Sequence, residues 1–128
     1  MSLPPLGEAL RFCRERRELS LREAGLLAEV DHAYIHRLET GQKESPSSDV
    51  FKRLLKVLKP SARDAEILAY LLDHPSGDTA LVRYVLEHPE VSIEAFEIAH
   101  GVRHRGAVRP EPRVLIERAQ RLIDSDDG

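Results

Sequence analysis

Residues 19–42, LSLREAGLLAEVDHAYIHRLETGQ, contain two short helical patterns joined by about two residues. Ser20 and Glu23 form the S-x-x-E pattern of a capping box, in which each side chain satisfies a backbone N–H at the start of a helix. Asp31 is a good N-cap for the second helix. Gly41 ends it, because glycine accepts the left-handed conformation of a C-terminal cap. With so short a junction the two helices must cross steeply and share an apolar seam, which is a helix-turn-helix.

The rest of the chain is also patterned as helices, and no alternating run is long enough to indicate a strand. Pro4 and Pro5 precede a first helix that ends near Arg17. Further helices are predicted between the N-cap Ser47 and Pro60, and over roughly 62–73, 78–87, 92–100 and 111–123. We therefore expect an all-α protein with two parts: a helix-turn-helix domain of four to five helices at residues 1–60, and a small helical dimerisation domain at residues 61–128.

Composition narrows the class of protein. The 128 residues allow one compact domain or two small ones that share a core. The single cysteine, Cys13, excludes an internal disulfide and is read as a small buried apolar residue. No apolar run approaches the ~18 residues of a membrane span, and the start MSLPPLGEAL is not patterned as a secretion signal. These features predict a cytoplasmic protein with no membrane contact and no cofactor.

The net charge of -3 conceals a difference between the two halves. Residues 1–60 hold 11 Lys and Arg against 9 Asp and Glu, which is +2, whereas residues 61–128 hold 8 against 13, which is -5. The asymmetry is modest: any DNA-facing surface would lie in the first half, where local placement of charge would matter more than bulk attraction.

The second helix of the motif separates into an inner and an outer face. Ile35 and Leu38 are predicted to turn inward, which leaves an outer face able to read base edges in the major groove. Arg37 is the strongest candidate there, since its forked donors fit guanine O6 and N7. The base-reading candidates are His32, Ala33, His36 and Arg37; the candidates for the DNA backbone are Arg22, Tyr34, Thr40, Gln42 and Lys43.

Each of these candidates has a simpler alternative. Arg37 could lie on an ordinary solvated face, paired with Glu39 or with an adjacent helix. Histidines four residues apart suggest metal ligands at His32 and His36, and again at His100 and His104, but no further Cys, Glu or His completes a set at ligand spacing. No metal site is therefore predicted.

The motif resembles the XRE, or lambda-repressor-like, family of bacterial and phage regulators over about residues 6 to 60. The matching residues are Ser20, Val30, Tyr34, Ile35, Glu39, Gly41, Pro46 and Ser47, with Leu38 as a like-for-like change. The resemblance implies sequence-specific binding to double-stranded DNA.

Four positions depart from the family pattern. Leu21 stands where the family often has Gln, so no phosphate contact carries over to it. Gly25 preserves the close approach of the two helices, and Glu29 replaces a turn glycine, which predicts a positive φ. Glu44 reads as an inserted loop residue.

One recognition helix buries little surface, so two copies on a palindromic operator are expected. The apolar, acidic second half is the predicted dimerisation element, although the same residues would equally serve as core. The interface candidates are Leu81, Val85, Leu86, Ile93, Phe96, Leu115 and Leu122.

The C-terminal segment also resembles DdrO-type repressors, including those of antiviral defence operons, which ImmA/IrrE-class metallopeptidases cleave. The matching residues are Arg105, Gly106, Arg109 and Pro110, which implies a scissile bond near His104 and Arg105. An ordinary basic loop between helices is the alternative.

The leading hypothesis is a homodimeric, sequence-specific transcriptional repressor. The chain has no H-E-x-x-H, no glycine-rich phosphate loop and no G-x-S-x-G, so an enzyme is not expected. The alternative is an antitoxin-like interaction module that autoregulates its operon. Such modules often carry a disordered toxin-binding tail, whereas this C-terminal region is patterned as apolar helices.

Overall fold

The computed structural model describes residues 4–43, 45–102 and 109–126, and within these ranges the chain forms eight α-helices and no strand. The expectation of an all-α fold is therefore confirmed. The proposed cleavage residues His104 and Arg105, and the loop residue Glu44, lie outside the described residues. No helix in the described part of the chain combines the length and the apolarity needed to cross a bilayer.

The helix boundaries follow the capping signals closely. The helices are α1 (Pro5–Arg16), α2 (Leu21–Ala28), α3 (His32–Thr40), α4 (Ser48–Leu58), α5 (Ala62–Asp73), α6 (Thr79–Glu87), α7 (Ile93–Gly101) and α8 (Pro112–Asp126). Ser20 and Glu23 form the full capping box before α2, and the side chains of Asp31 and Ser47 cap α3 and α4. Gly41 ends α3 at φ 85°, as predicted.

The turn between α2 and α3 is tight. Glu29 takes the left-handed conformation, with φ 57° and ψ 45°, so the prediction of a positive φ is confirmed. Gly25 faces the turn directly: a Cβ placed there would lie 2.7 Å from the Val30 carbonyl oxygen and 3.1 Å from the His32 amide nitrogen. The absence of a side chain at Gly25 therefore lets α3 cross α2 at close range.

The core is aliphatic and runs through the whole chain. Helix α1 lies at its centre and packs against α3, α5 and α6, while α8 covers α7 and part of α6. Cys13 is fully buried on α1, which raises the pKa of its thiol to about 11 because burial disfavours the thiolate. Phe96 is the largest fully buried side chain.

Ion pairs with buried carboxylates join α1 to the helices that follow α4. The carboxylate of Glu8 accepts a hydrogen bond from Nη1 of Arg83 on α6 at 2.9 Å. Asp64 on α5 accepts from Arg16 on α1 at 2.8 Å and from its neighbour Arg63 at 2.8 Å. Carboxylates removed from water need such partners, so these pairs hold α5 and α6 against α1.

Arg63 also closes the C-terminal end of α6. Its guanidinium donates to the carbonyl oxygens of Val85, His88 and Val91 at 2.8 to 2.9 Å. The last carbonyls of a helix lack the partners that its interior has, and one arginine from α5 binds a carbonyl in the last turn of α6, that of the C-cap His88 and that of Val91 beyond it.

Most of the dimerisation candidates are covered by this chain itself. Leu81, Val85, Leu86, Phe96 and Leu115 lie in the core, and Ile93 is half-buried. Leu122 on α8 is 58% exposed. Of the two roles that the sequence left open for these residues, the buried five take the core role within one chain, and Leu122 retains a free surface.

Candidate nucleic-acid interface

Helix α3 is anchored by its inner face. Ile35 and Leu38 are buried between α1 and α2, as the spacing predicts. At its start, Oδ1 of Asp31 accepts a hydrogen bond from the Ala33 amide at 3.0 Å. This bond satisfies one of the amides that a helix start leaves unpaired. The orientation of α3 about its own axis is therefore set by packing on one side and by a cap at its end.

The opposite face of α3 is open to solvent. The side chains of His32, His36 and Arg37 are exposed, and Ala33 is half-buried. The Arg37 guanidinium lies 5.9 Å from the centre of the Tyr34 ring, where a cation is attracted by the aromatic face. This contact leaves the hydrogen-bond donors of Arg37 available.

Arg37 does not pair with Glu39, which was one alternative for it. Glu39 points to the inner side of α3 and is held by Arg14 on α1, at 2.8 Å from Nε to Oε2 and 3.0 Å from Nη2 to Oε1. Nη1 of Arg14 also donates to the Leu19 carbonyl at 2.7 Å, which fixes the α1–α2 connection. One largely buried arginine therefore connects α1, the α1–α2 connection and α3.

The candidates for backbone contacts surround the open face. Arg22, Gln42 and Lys43 are exposed, while Tyr34 and Thr40 are half-buried. Oγ1 of Thr40 donates to the His36 carbonyl at 2.9 Å, so this hydroxyl already has a partner within α3. The Lys43 amide donates to the Arg37 carbonyl at 3.0 Å, which places the start of the loop against the end of the helix.

Two further residues support the site although no local pattern marks them. A Cβ at Gly7 would lie 2.5 Å from the Glu39 carbonyl oxygen and 2.6 Å from that of Leu38, so α1 touches the backbone of α3. Nη1 of Arg53 on α4 donates to the Glu29 carbonyl at 3.2 Å and so supports the turn. Both contacts join residues far apart in sequence, and periodicity along one helix carries no signal of them.

The histidines on α3 are not part of a metal centre in the described structure. His32 approaches only Asp31, at 3.9 Å from Nδ1 to Oδ1, which is too long for a hydrogen bond. In the described residues, no three His, Cys, Asp or Glu side chains come together in a way that would hold a metal ion.

Two helices crossing at a tight turn, with an exposed polar face on the second, define a helix-turn-helix DNA-binding protein of the XRE-like kind. The chain belongs to the helix-turn-helix domain family, whose model matches residues 5–73, more than half of its length. The family is one of DNA-binding transcription regulators. No curated protein matches the chain closely enough to count as a relative. The family match extends through α5, the helix whose Asp64 is paired to α1.

Proposed function

We propose that this protein is a transcriptional repressor that reads a palindromic operator as a homodimer. The observation that supports it most directly is the outer face of α3, where His32, His36 and Arg37 are exposed while the back of the helix is anchored. A helix of this width fits the major groove, and a guanidinium addresses guanine through two donors at once. Arg37 is therefore assigned the most specific contact, with His32, Ala33 and His36 beside it.

Phosphate contacts are assigned to the residues around that face. Arg22 and Lys43 are exposed cations at its two ends, and Gln42 adds a neutral donor. Each phosphate neutralised by a cation releases counterions, so the affinity should fall with salt concentration. With Arg22 and Lys43 as the phosphate-contacting cations of each protomer, a log-log slope of about -2 per protomer is expected.

The homodimer follows from the size of the recognition surface. One recognition helix gives weak binding, and two helices about 34 Å apart reach successive turns on one face of the duplex. We assign DNA recognition to residues 1–60 and dimerisation to residues 61–128. Leu122 is the candidate whose side chain remains uncovered.

Inactivation by a partner metallopeptidase of the ImmA/IrrE class is the second part of the proposal. The bond in question lies near His104 and Arg105, between α7 and α8. Helix α8 is held to α7 and α6 through buried Leu115, Ile116 and Ala119. A cut before α8 would leave this helix attached by noncovalent contacts alone, and dilution would then favour its release.

DNA binding is tested by fluorescence anisotropy with the promoter region upstream of the gene, using wild type, Arg37→Ala and Lys56→Ala. Arg37→Ala should lose about 1 to 3 kcal/mol of specific affinity, roughly 5-fold to 150-fold. Lys56 is an exposed cation on α4 with no ion pair among the described residues, so Lys56→Ala controls for the loss of one positive charge. Equal affinities of the two variants would reject the assigned reading face.

Cleavage is tested separately, by incubating the protein with the metallopeptidase encoded beside its gene and following intact mass. A cut between α7 and α8, with loss of operator binding, is the expected result. A chain that stays intact under inducing conditions, or one that is cut but still binds its operator, would remove this mode of control.

A further inference from the structure

His100 on α7 carries an unusual buried nitrogen. Nε2 of its ring is the one buried side-chain N or O atom in the described residues that lacks a hydrogen-bond partner. Nδ1 lies 3.3 Å from the Tyr70 hydroxyl, and the ring packs against Phe96, with centroids 5.4 Å apart. A buried polar atom without a partner costs about 1 to 3 kcal/mol, so its persistence calls for a reason.

Gly77 is the residue that covers this nitrogen. A Cβ at Gly77 would overlap Nε2 of His100, so no residue other than glycine fits here without displacing the ring or the loop. Gly77 covers Nε2 and has no side chain that could accept a hydrogen bond from it. The neutral ring tolerates this arrangement at modest cost, whereas an imidazolium would bury a charged N–H with nothing to receive it.

The charges around His100 oppose its protonation further. Burial is the main cause that lowers the pKa of His100, followed by the positive potential of His74 and of Arg109, while Asp78 acts in the opposite direction. On α5, Tyr70 faces the ring through its hydroxyl, and burial, with a smaller contribution from Glu97, raises the pKa of this phenol. Burial and these charges therefore favour the neutral form of the His100 ring.

Residues 74–78, which contain Gly77, also contact the residues that lead into α8. Asp78 caps α6 by accepting from the Ala80 and Leu81 amides at 3.0 and 3.3 Å. Its other oxygen accepts from Nε of Arg109 at 2.7 Å, and Nη1 of Arg109 donates to the Val102 carbonyl at 3.2 Å. The Asp78 carboxylate and the Arg109 guanidinium thus join this loop to the end of α7 and to the residues that lead into α8.

The same loop lies close to the recognition helix. Pro75 and Ser76 line a small cleft together with Leu38 and Gly41 of the α3 region and with Lys43. A displacement of residues 74–78 would therefore alter both the anchoring of Arg109 and the surroundings of the C-terminal end of α3.

We propose that His100 and Gly77 form a proton-sensitive latch, in which proton uptake by Nε2 of His100 from solvent expels residues 74–78 and releases Arg109 from Asp78. The closed state binds the proton less well than the open state does. The closed state therefore has its full stability at pH values above the ordinary histidine pKa near 6.5. This stability decreases as the pH falls through about 6.5 towards the lower pKa of His100 in the closed state. Because one proton is taken up, the open fraction rises by up to about tenfold per pH unit in that window.

The test combines NMR titration of the histidine rings with amide hydrogen exchange of residues 76–78, corrected for intrinsic rates, from pH 7.5 to 5.5. In the wild type, His100 should titrate below its ordinary range and the corrected exchange should rise towards acid. In His100→Asn, which retains a polar atom near the Tyr70 hydroxyl but does not titrate, the exchange should stay flat. Gly77→Ala should show the open, fast-exchanging loop already at pH 7.5.

His88 provides a matched control. Its ring stacks on Tyr84 with centroids 4.0 Å apart, and its Nδ1 lies 2.7 Å from the Tyr84 carbonyl oxygen, whereas the atoms nearest to a Cβ at Gly77 all belong to His100. His88→Asn should leave the acid response of residues 76–78 intact. The proposal is overturned if His100 titrates at or above 6.5, or if His100→Asn keeps the acid response of the wild type. If Gly77→Ala does not fold, the comparison of His100→Asn with His88→Asn decides the matter.

Discussion

Arg14 and Glu39 form a two-pronged ion pair between α1 and the inner side of α3, with N–O distances of 2.8 and 3.0 Å. The Glu39 side chain is 4% exposed and that of Arg14 12%, so both charges are largely removed from water. The pKa of Arg14 is raised, with the hydrogen bond to Glu39 as the main cause, so the guanidinium stays charged. The pair adds to the packing of Ile35 and Leu38 in holding α3 with Arg37 outward and Glu39 inward.

Removal of one partner of the Arg14–Glu39 pair should lower the free energy of unfolding. Arg14→Met leaves the Glu39 carboxylate buried without a cation, and about 3 to 5 kcal/mol of unfolding free energy should be lost. The double variant Arg14→Met with Glu39→Leu should recover most of that loss, because no buried charge remains. Urea unfolding of wild type and both variants measures this. A single variant within about 1 kcal/mol of wild type would show that water reaches Glu39.

The contact of Gly7 with α3 predicts a steric effect. Gly7→Ala places a methyl group against two carbonyl oxygens of α3, so α1 must shift, at a cost of about 1 to 3 kcal/mol. Gly101→Ala is the matched control, since a Cβ there meets nothing within 4 Å. That variant should be neutral or stabilising by up to about 1 kcal/mol, from helix propensity. Thermal unfolding of the two variants distinguishes them, and equal stabilities would mean that α1 does not press on α3.

Leu122 allows the proposed dimer to be separated from folding. Leu122→Asp alters an exposed side chain, so stability should change by no more than about 0.5 kcal/mol while the dimer weakens. Leu115 on the same helix is 2% exposed, and Leu115→Ala should cost about 2 to 5 kcal/mol of stability. Sedimentation velocity and urea unfolding provide the two measurements. An unchanged dimer in Leu122→Asp would exclude this surface as the interface.

The burial of Cys13 predicts that its thiol reacts slowly. With its pKa raised to about 11 by burial, only about one molecule in a thousand carries the thiolate at pH 8. Reaction with a disulfide reagent should therefore be far slower than for free cysteine and should follow the opening of the core. In urea, the thiol of the unfolded chain should react at the rate of free cysteine. Rapid modification of the folded chain would show that α1 detaches readily from α5 and α6.

The local signals of this sequence were informative because caps act over only a few residues. The boundaries of α2 and α3, the left-handed Glu29 and the glycine stop at Gly41 all depend on neighbours within one turn of helix. The inward placement of Ile35 and Leu38 followed from helical spacing alone. Residues 71–75, LLDHP, are similar to residues 85–89, VLEHP, and each stretch contains a helix end at which a histidine stacks on the tyrosine four residues earlier.

The contacts that no local sequence pattern predicted join residues that are far apart in the chain. Arg14 to Glu39, Arg83 to Glu8 and the cover of Gly77 over His100 are separated by 25, 75 and 23 positions, and nothing in the neighbourhood of either partner specifies the other. The choice between core and interface for Leu115 and Leu122 has the same character, because both lie on the apolar side of one helix.

From the sequence alone came the eight helices of the described residues, the caps of α2, α3 and α4, and the outward face of α3, since the energies that decide them act within a few residues. Tertiary structure alone decided which carboxylate is buried with which arginine, which leucines remain in solvent and which glycine covers a histidine. Those outcomes depend on which surfaces meet when the helices pack, and packing is a property of the whole chain.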